Sequence, residues 1–197
     1  QIFIGDYHVG GYTDLVKYLT PKINFERLEE ICDILVRNLN KVIDINFYPV
    51  PETARSNFRT RPLGLGVQGF SDLLFKLRIP FESEDAKVVN KQIFEAIQYY
   101  SLKASCNLAR EREIVLEEFL SHNIEVPVDR DMDLPCVEYK GHRFTYNELC
   151  LKKYRGAYLL FDGSPMSRGE FQWEKCGITE LALGREKWDE LRKDIMK

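Results

Sequence analysis

The chain is short of the residues that carry most recognisable chemistry. It has three histidines in 197 residues, His8, His122 and His142, and none belongs to a paired motif such as H-E-x-x-H. There is no G-x-x-x-x-G-K-[S/T] loop for a nucleotide phosphate, no nucleophile elbow and no kinase set. Positive charge is not in surplus: the formal net charge is -3, which argues against a nucleic-acid binder, because that task needs a basic face. No apolar run approaches the roughly 18 residues that would span a bilayer, and no charged-then-apolar leader opens the chain. The five cysteines, Cys32, Cys106, Cys136, Cys150 and Cys176, are odd in number, scattered, and form no C-x-x-C pair. That excludes a zinc ribbon and a thioredoxin-type motif, and it points to a reducing compartment.

What is present suits one globular domain or one large piece of a bigger one: 44% of the residues are hydrophobic. The first residue is Gln1 rather than methionine, so a processed or excised piece is expected. The most conspicuous stretch is Arg61-Pro62-Leu63-Gly64-Leu65-Gly66-Val67-Gln68-Gly69, followed by an apolar run. Its Gly64-x-Gly66-x-x-Gly69 spacing is that of a dinucleotide-binding turn, which also needs a buried strand before it, a helix after it and an acidic residue about 20 positions on. Only the helix is convincing. The lead-in Phe58–Leu63 is basic and broken by proline, and Glu82, Glu84 and Asp85 fall in the first turn of another helix.

Taken in order, the chain reads as helix-rich. Asn24 is an N-cap for a helix from Phe25 to Ile45, with Leu28, Ile31, Cys32, Leu35, Leu39, Val42 and Ile43 at helical spacing. A short helix is expected over Glu52–Thr60, with Arg55, Arg59 and Arg61 forming a basic patch that is either a solvated face or an anion site. Phe70–Leu77 is a third helix. Ser83 caps a long one from Glu84 to about Arg112, which presents Ala86, Val89, Ile93, Ala96, Ile97, Tyr100, Ala104 and Leu108 on one side. Val137–Tyr139 and Arg143–Tyr146 alternate around Lys140-Gly141-His142 as a hairpin, and Thr145-x-x-Glu148 is a capping box. Tyr158–Phe161 is a candidate buried strand, and Arg185–Met196 a final helix.

Candidate chemistry is thin. Cys136, His142 and Cys150, with Asp131 or Asp133, lie close enough in sequence for a metal, but their spacing matches no usual zinc pattern and a hairpin can turn two of them apart. Cys32 and Cys106 lie within helices and read as small core residues. No catalytic, cofactor-binding or metal residue is assigned.

Several long ordered segments carry a family resemblance. Arg37-Asn38-Leu39-Asn40-Lys41-Val42-Ile43-Asp44-Ile45-Asn46-Phe47-Tyr48-Pro49-Val50-Pro51-Glu52 resembles the large (alpha) chain of class I ribonucleotide reductase, of the eukaryotic and large-DNA-virus type. So do Arg61–Gly69, Pro80–Ser83, Asn90–Glu95, Ala104–Ala109 and, further on, Phe161-Asp162-Gly163-Ser164-Pro165-Met166-Ser167-Arg168-Gly169. Residues 113–156 look longer than the connection usual in that family.

The resemblance implies an α/β fold, a partial slice of a ten-stranded α/β barrel, with residues 1–197 part of the catalytic barrel domain and about 113–156 a hairpin-plus-helix appendage inserted in it. In that family a thiyl radical on a barrel cysteine abstracts the ribose 3′ hydrogen of a ribonucleoside diphosphate, and a cysteine pair supplies electrons. The motifs carrying those roles are not in this chain, so it is expected to contribute scaffold and to be inactive alone. No cofactor is expected on this segment; the parent enzyme takes its radical from a metal-containing small subunit and answers to ATP and dNTP effectors. The implied partners are the remaining segments of the large chain, a second large subunit, the radical-generating small subunit, and thioredoxin or glutaredoxin, in the cytoplasm, without membrane or direct nucleic-acid contact. The alternative is a non-catalytic interaction module using the 113–156 appendage. An NAD-binding oxidoreductase is the third reading.

Overall fold

In the computed structural model the described residues are 2–4, 6–11, 13, 22–122, 136–145 and 156–197. The chain opens with an antiparallel ribbon of β1 (Ile2–Ile4) and β2 (Tyr7–Gly10). Helix α1 (Phe25–Ile45) starts where the Asn24 side chain accepts from the Arg27 backbone N–H at 2.9 Å, as its capping residue predicts. Helix α2 (Pro51–Thr60) begins on a proline, whose missing N–H is no loss in a first turn. Helix α3 (Phe70–Leu77) follows the glycine stretch, and α4 (Glu84–Ser121) starts on the Ser83 cap. Strands β3 (Cys136–Tyr139) and β4 (His142–Thr145) form the expected hairpin. Its turn residues Lys140 and Gly141 both have positive φ, 46° and 78°, which matches the twist of a two-residue connection. After a 3-10 turn at Met166–Arg168 come the short α5 (Gln172–Lys175) and α6 (Arg185–Ile195).

Helix α4 does not stop near Arg112 but continues to Ser121. No glycine or proline intervenes, and Leu116 and Phe119 carry the buried stripe onward beyond Arg112. The expected strand at 158–161 is instead a turn: Phe161 N–H donates to the Tyr158 carbonyl at 2.9 Å. One backbone bond, from Leu160 N–H to the Arg59 carbonyl, ties it to α2. Among the described residues the two antiparallel ribbons are the only sheets, so no ladder of the expected barrel is formed within them. The capping box at Thr145–Glu148 runs outside the described residues. No helix among the described residues is long and apolar enough to cross a membrane.

The frame is the pairing of α1 with α4. Lys103 bonds Glu29 at 2.6 Å and Arg37 makes a two-pronged contact with Glu111 at 2.6 and 2.8 Å. Both links span the same 74-residue separation, so the two helices run parallel. Helix α1 buries Cys32, Val36, Asn40, Ile43 and Asp44 on this side. Ile31, Leu35 and Val42, which the apolar spacing also places at helical positions, are 39–49% exposed. The helix therefore carries two apolar faces, and the described residues cover one of them.

The main core lies between these helices and the C-terminal segment. Tyr99, Trp188, Phe171 and Trp173 meet there with ring centroids 4.8–6.1 Å apart, beside Cys32, Ala96, Tyr100 and Leu191. A buried carboxylate fixes this junction. Glu95 accepts from Ala182 N–H (2.6 Å), Leu183 N–H (3.0 Å) and the Trp188 indole N–H (3.1 Å). Replacing it strands three donors, so in the full-length protein Glu95→Ala is expected to weaken protection around residues 93–100 and 182–191 by about 3 kcal/mol in native-state hydrogen exchange, with less than about 1 kcal/mol refuting the role.

Candidate functional site

The glycine stretch is positioned by the residue before it. Arg61 closes α2 in the left-handed conformation (φ 43°), an unfavourable state for a side chain with a Cβ. Its guanidinium turns inward to α1: Nε donates to Asn40 Oδ1 at 2.7 Å, and one terminal nitrogen donates to the Asn40 carbonyl at 3.0 Å and to Asp44 Oδ1 at 2.8 Å. Both charged side chains are under a tenth exposed. The three-point clamp holds the strained backbone in place. It also dissolves the expected basic patch, since Arg59 is exposed, Arg55 is half-buried, and Arg61 is committed to the interior. The sequence did hold a signal for the clamp. Asn40 and Asp44 interrupt the apolar face of α1 at i, i+4, a spacing that presents both to one partner.

From Arg61 the chain runs to Gly69 without regular structure. A Cβ added at Gly64 or Gly66 would meet nothing within 4 Å, so neither glycine makes a close packing contact with the described residues. Gly69 alone of the three needs its freedom, at φ 77°. No strand precedes the turn, and Glu82, Glu84 and Asp85 are exposed, with Glu84 paired to Lys87. The geometry of a dinucleotide site is absent.

Between this stretch and α4 lies a half-open cavity of about 850 Å³. Leu63 and Leu65 line one wall, and Ser105, Cys106 and Arg112 the opposite one. The Gly163–Gly169 turn closes an end through Met166 and Ser167. That turn is locally tied: Ser164 Oγ accepts from Ser167 N–H at 3.1 Å, and the Gly169 carbonyl accepts from Arg192 Nε at 2.8 Å. A Cβ at Gly169 would sit 2.7 Å from the Arg192 side chain, which accounts for glycine there.

The cysteines do not converge. Cys32 is buried in the main core and Cys106 is half-buried with its thiol toward the Asp194 carbonyl (3.5 Å). Burial pushes both thiols above their ordinary pKa, the reverse of what a nucleophile or a metal ligand needs. Cys176 is exposed. Of the weighed metal constellation, Cys150, Asp131 and Asp133 fall outside the described residues. Cys136 pairs with Thr145 and His142 with Tyr139, which puts the two at opposite ends of the hairpin ladder. Burial, then Arg112, lowers the pKa of His142, which keeps the ring neutral near pH 7. Among the described residues no group of three or more His, Cys, Asp or Glu could hold a metal.

Comparison with known proteins accounts for nearly the whole chain. The family described as ribonucleotide reductase, barrel domain, matches residues 11–197. A ribonucleoside-diphosphate reductase large chain of Saccharomyces cerevisiae is 38% identical over 178 residues, covering 90% of this chain and 15% of the yeast protein. The large subunit of Danio rerio is 51% identical over 96 residues, 48% of this chain and 12% of its own length. That of Acanthamoeba polyphaga mimivirus is 34% identical over 177 residues, 89% of this chain and 15% of its own. The chain thus spans less than a fifth of the length of these relatives.

Two outcomes are expected. Arg61→Ala leaves Asp44 buried without its cation and should destabilise by about 3 kcal/mol, with Arg61→Ala/Asp44→Ala recovering part of the loss; an effect below about 1 kcal/mol would show the clamp to be of the surface kind. Native alkylation at pH 7.5, read by peptide mass, should modify the exposed Cys176 before Cys32 and Cys106, whose burial and raised pKa leave little accessible thiolate; equal rates at these three would contradict this.

Proposed function

The chain belongs to the ribonucleotide reductase barrel-domain family, and from that membership we propose that it is an interior scaffold segment of a ribonucleoside-diphosphate reductase large subunit. The parent protein would reduce ribonucleoside diphosphates to deoxyribonucleoside diphosphates for DNA synthesis. This segment would supply structure to it and no catalytic, cofactor-binding or metal residue. The observation that carries the reading is the parallel pair α1 and α4, joined by a return path through Arg61–Gly69. A parallel pair needs a crossover, and an α/β barrel is a ring of such crossovers. In the ten-stranded slice we envisage, residues 61–69 take a strand position whose neighbours come from other parts of the polypeptide. The second apolar face of α1, with Ile31, Leu35, Val42 and Ile45, would lie against the same missing surroundings.

The wider assignments follow the family. The parent would work in the cytoplasm as a large-subunit dimer. Its radical would come from a metal-containing small subunit, its electrons from thioredoxin or glutaredoxin, and its regulation from ATP and dNTP effectors. None of these is proposed to bind the described residues.

Complementation tests the proposal. A large subunit lacking this segment should be inactive in diphosphate reduction and regain turnover when the segment is supplied. Turnover that does not depend on the segment would refute it. The isolated chain, with α1 half uncovered and the 61–69 stretch unpaired, is expected to aggregate; a monodisperse, cooperatively unfolding 23.1 kDa monomer would count against the slice.

A further inference from the structure

We infer that the described parts of the excursion between Glu113 and Gly156, the end of α4 and the β3–β4 hairpin, form a self-cored unit whose chain leaves and re-enters the scaffold at one point, so that its structural role is separable from that of the rest of the chain. The stem shows this most directly. A Cβ built on Gly156 would fall 2.0 Å from the Ala109 carbonyl oxygen and 2.6 Å from the Glu113 nitrogen. The returning chain is therefore pressed against the same turn of α4 from which the excursion departs, at a contact only glycine permits, and φ there is 75°.

One buried side chain closes the stem. Arg112, 2% exposed, donates from Nε to the Gly156 carbonyl and from its two terminal nitrogens to the Arg143 carbonyl, each at 3.2 Å. Its guanidinium also lies over the Phe144 ring, 4.8 Å from the centroid. A single residue thus holds the departing helix, the hairpin and the returning chain.

Beyond the stem, the described parts of the excursion pack on themselves. Leu116, Phe119 and Phe144 form a buried cluster, flanked by Val115, Leu120, Val137 and Tyr139, all inside the excursion. Glu118 bonds Lys140 and Tyr139 within it as well. The hairpin reaches α1 and α2 through polar and cation–π links: Lys41 to Glu138 and to the Gly141 carbonyl, Arg143 to the Asp44 carbonyl, and Arg143 over Phe58. A small core of its own, one stem and a polar seam together describe an inserted unit, and among the described residues its apolar cluster is separate from that of the scaffold.

Hydrogen exchange on the full-length protein tests this without reference to catalysis. Residues 114–155 are replaced by a short Gly-Ser linker across the stem. Exchange protection around Tyr99, Phe171 and Trp188 should stay unchanged, and its loss would overturn the inference. Should the deletion not be recovered in soluble form, Phe144→Ala in the intact chain decides. Faster exchange confined to residues 113–145 is the expected result. Spread of that loosening to residues 93–104 and 171–191 would show one shared core and refute the module.

Discussion

The parallel alignment of α1 and α4 is the constraint on which the other features depend. Antiparallel helices can be joined by a tight turn, but a parallel pair forces the chain to travel back the whole length of the first helix before the second begins. That return path contains α2, the Arg61 clamp, the glycine stretch and α3. The cavity lies where the path passes α4, and the aromatic core forms where α6 lies across the junction. Arg37–Glu111 and Lys103–Glu29 are partly exposed, so they set register more than they add stability. The buried Cys32, Val36, Ala96 and Tyr100 supply the adhesion.

Buried polar groups act as the joints of this frame. Arg61 joins α2 to α1, Glu95 joins α4 to the C-terminal segment, and Arg112 joins the scaffold to the excursion. Each is a charged group accepting or donating several hydrogen bonds at once, largely with backbone or a neighbouring helix. Such groups gain little over a well-packed apolar substitute, yet removing one partner strands the others. They tolerate one geometry, which suits segments that must meet neighbours at fixed angles.

Much of this was legible in the sequence, and the failures have physical causes. Asn24, Ser83 and the Lys140-Gly141 turn act through local bonds, so their residue types alone announce helix starts and a hairpin. The end of α4 was missed because the composition shifts after about Glu113 while the helical periodicity continues through Leu116 and Phe119. The buried face of α1 was blurred because two apolar stripes on one helix cannot be told apart by spacing; only the partner chooses between them. Tyr158–Phe161 has the composition of a strand, but a strand is defined by lateral neighbours, and composition says nothing of those. The glycines of residues 64–69 have the spacing of a dinucleotide turn without its flanking strand, so spacing alone was rightly not enough; their significance lies in what approaches them.

The separation between α1 and α4 has a consequence for the making of the protein. Translation proceeds at roughly 5–20 residues per second, so contacts 74 residues apart wait roughly 4–15 s for the second partner to emerge. Through that interval the stripe of α1 that packs on α4 is bare, and so is the second stripe, with Ile31, Leu35 and Val42. A nascent chain of this design needs its hydrophobic helix shielded during synthesis, by the exit tunnel or by a chaperone. A pause placed before α4 would lengthen the vulnerable period far more than one placed after it.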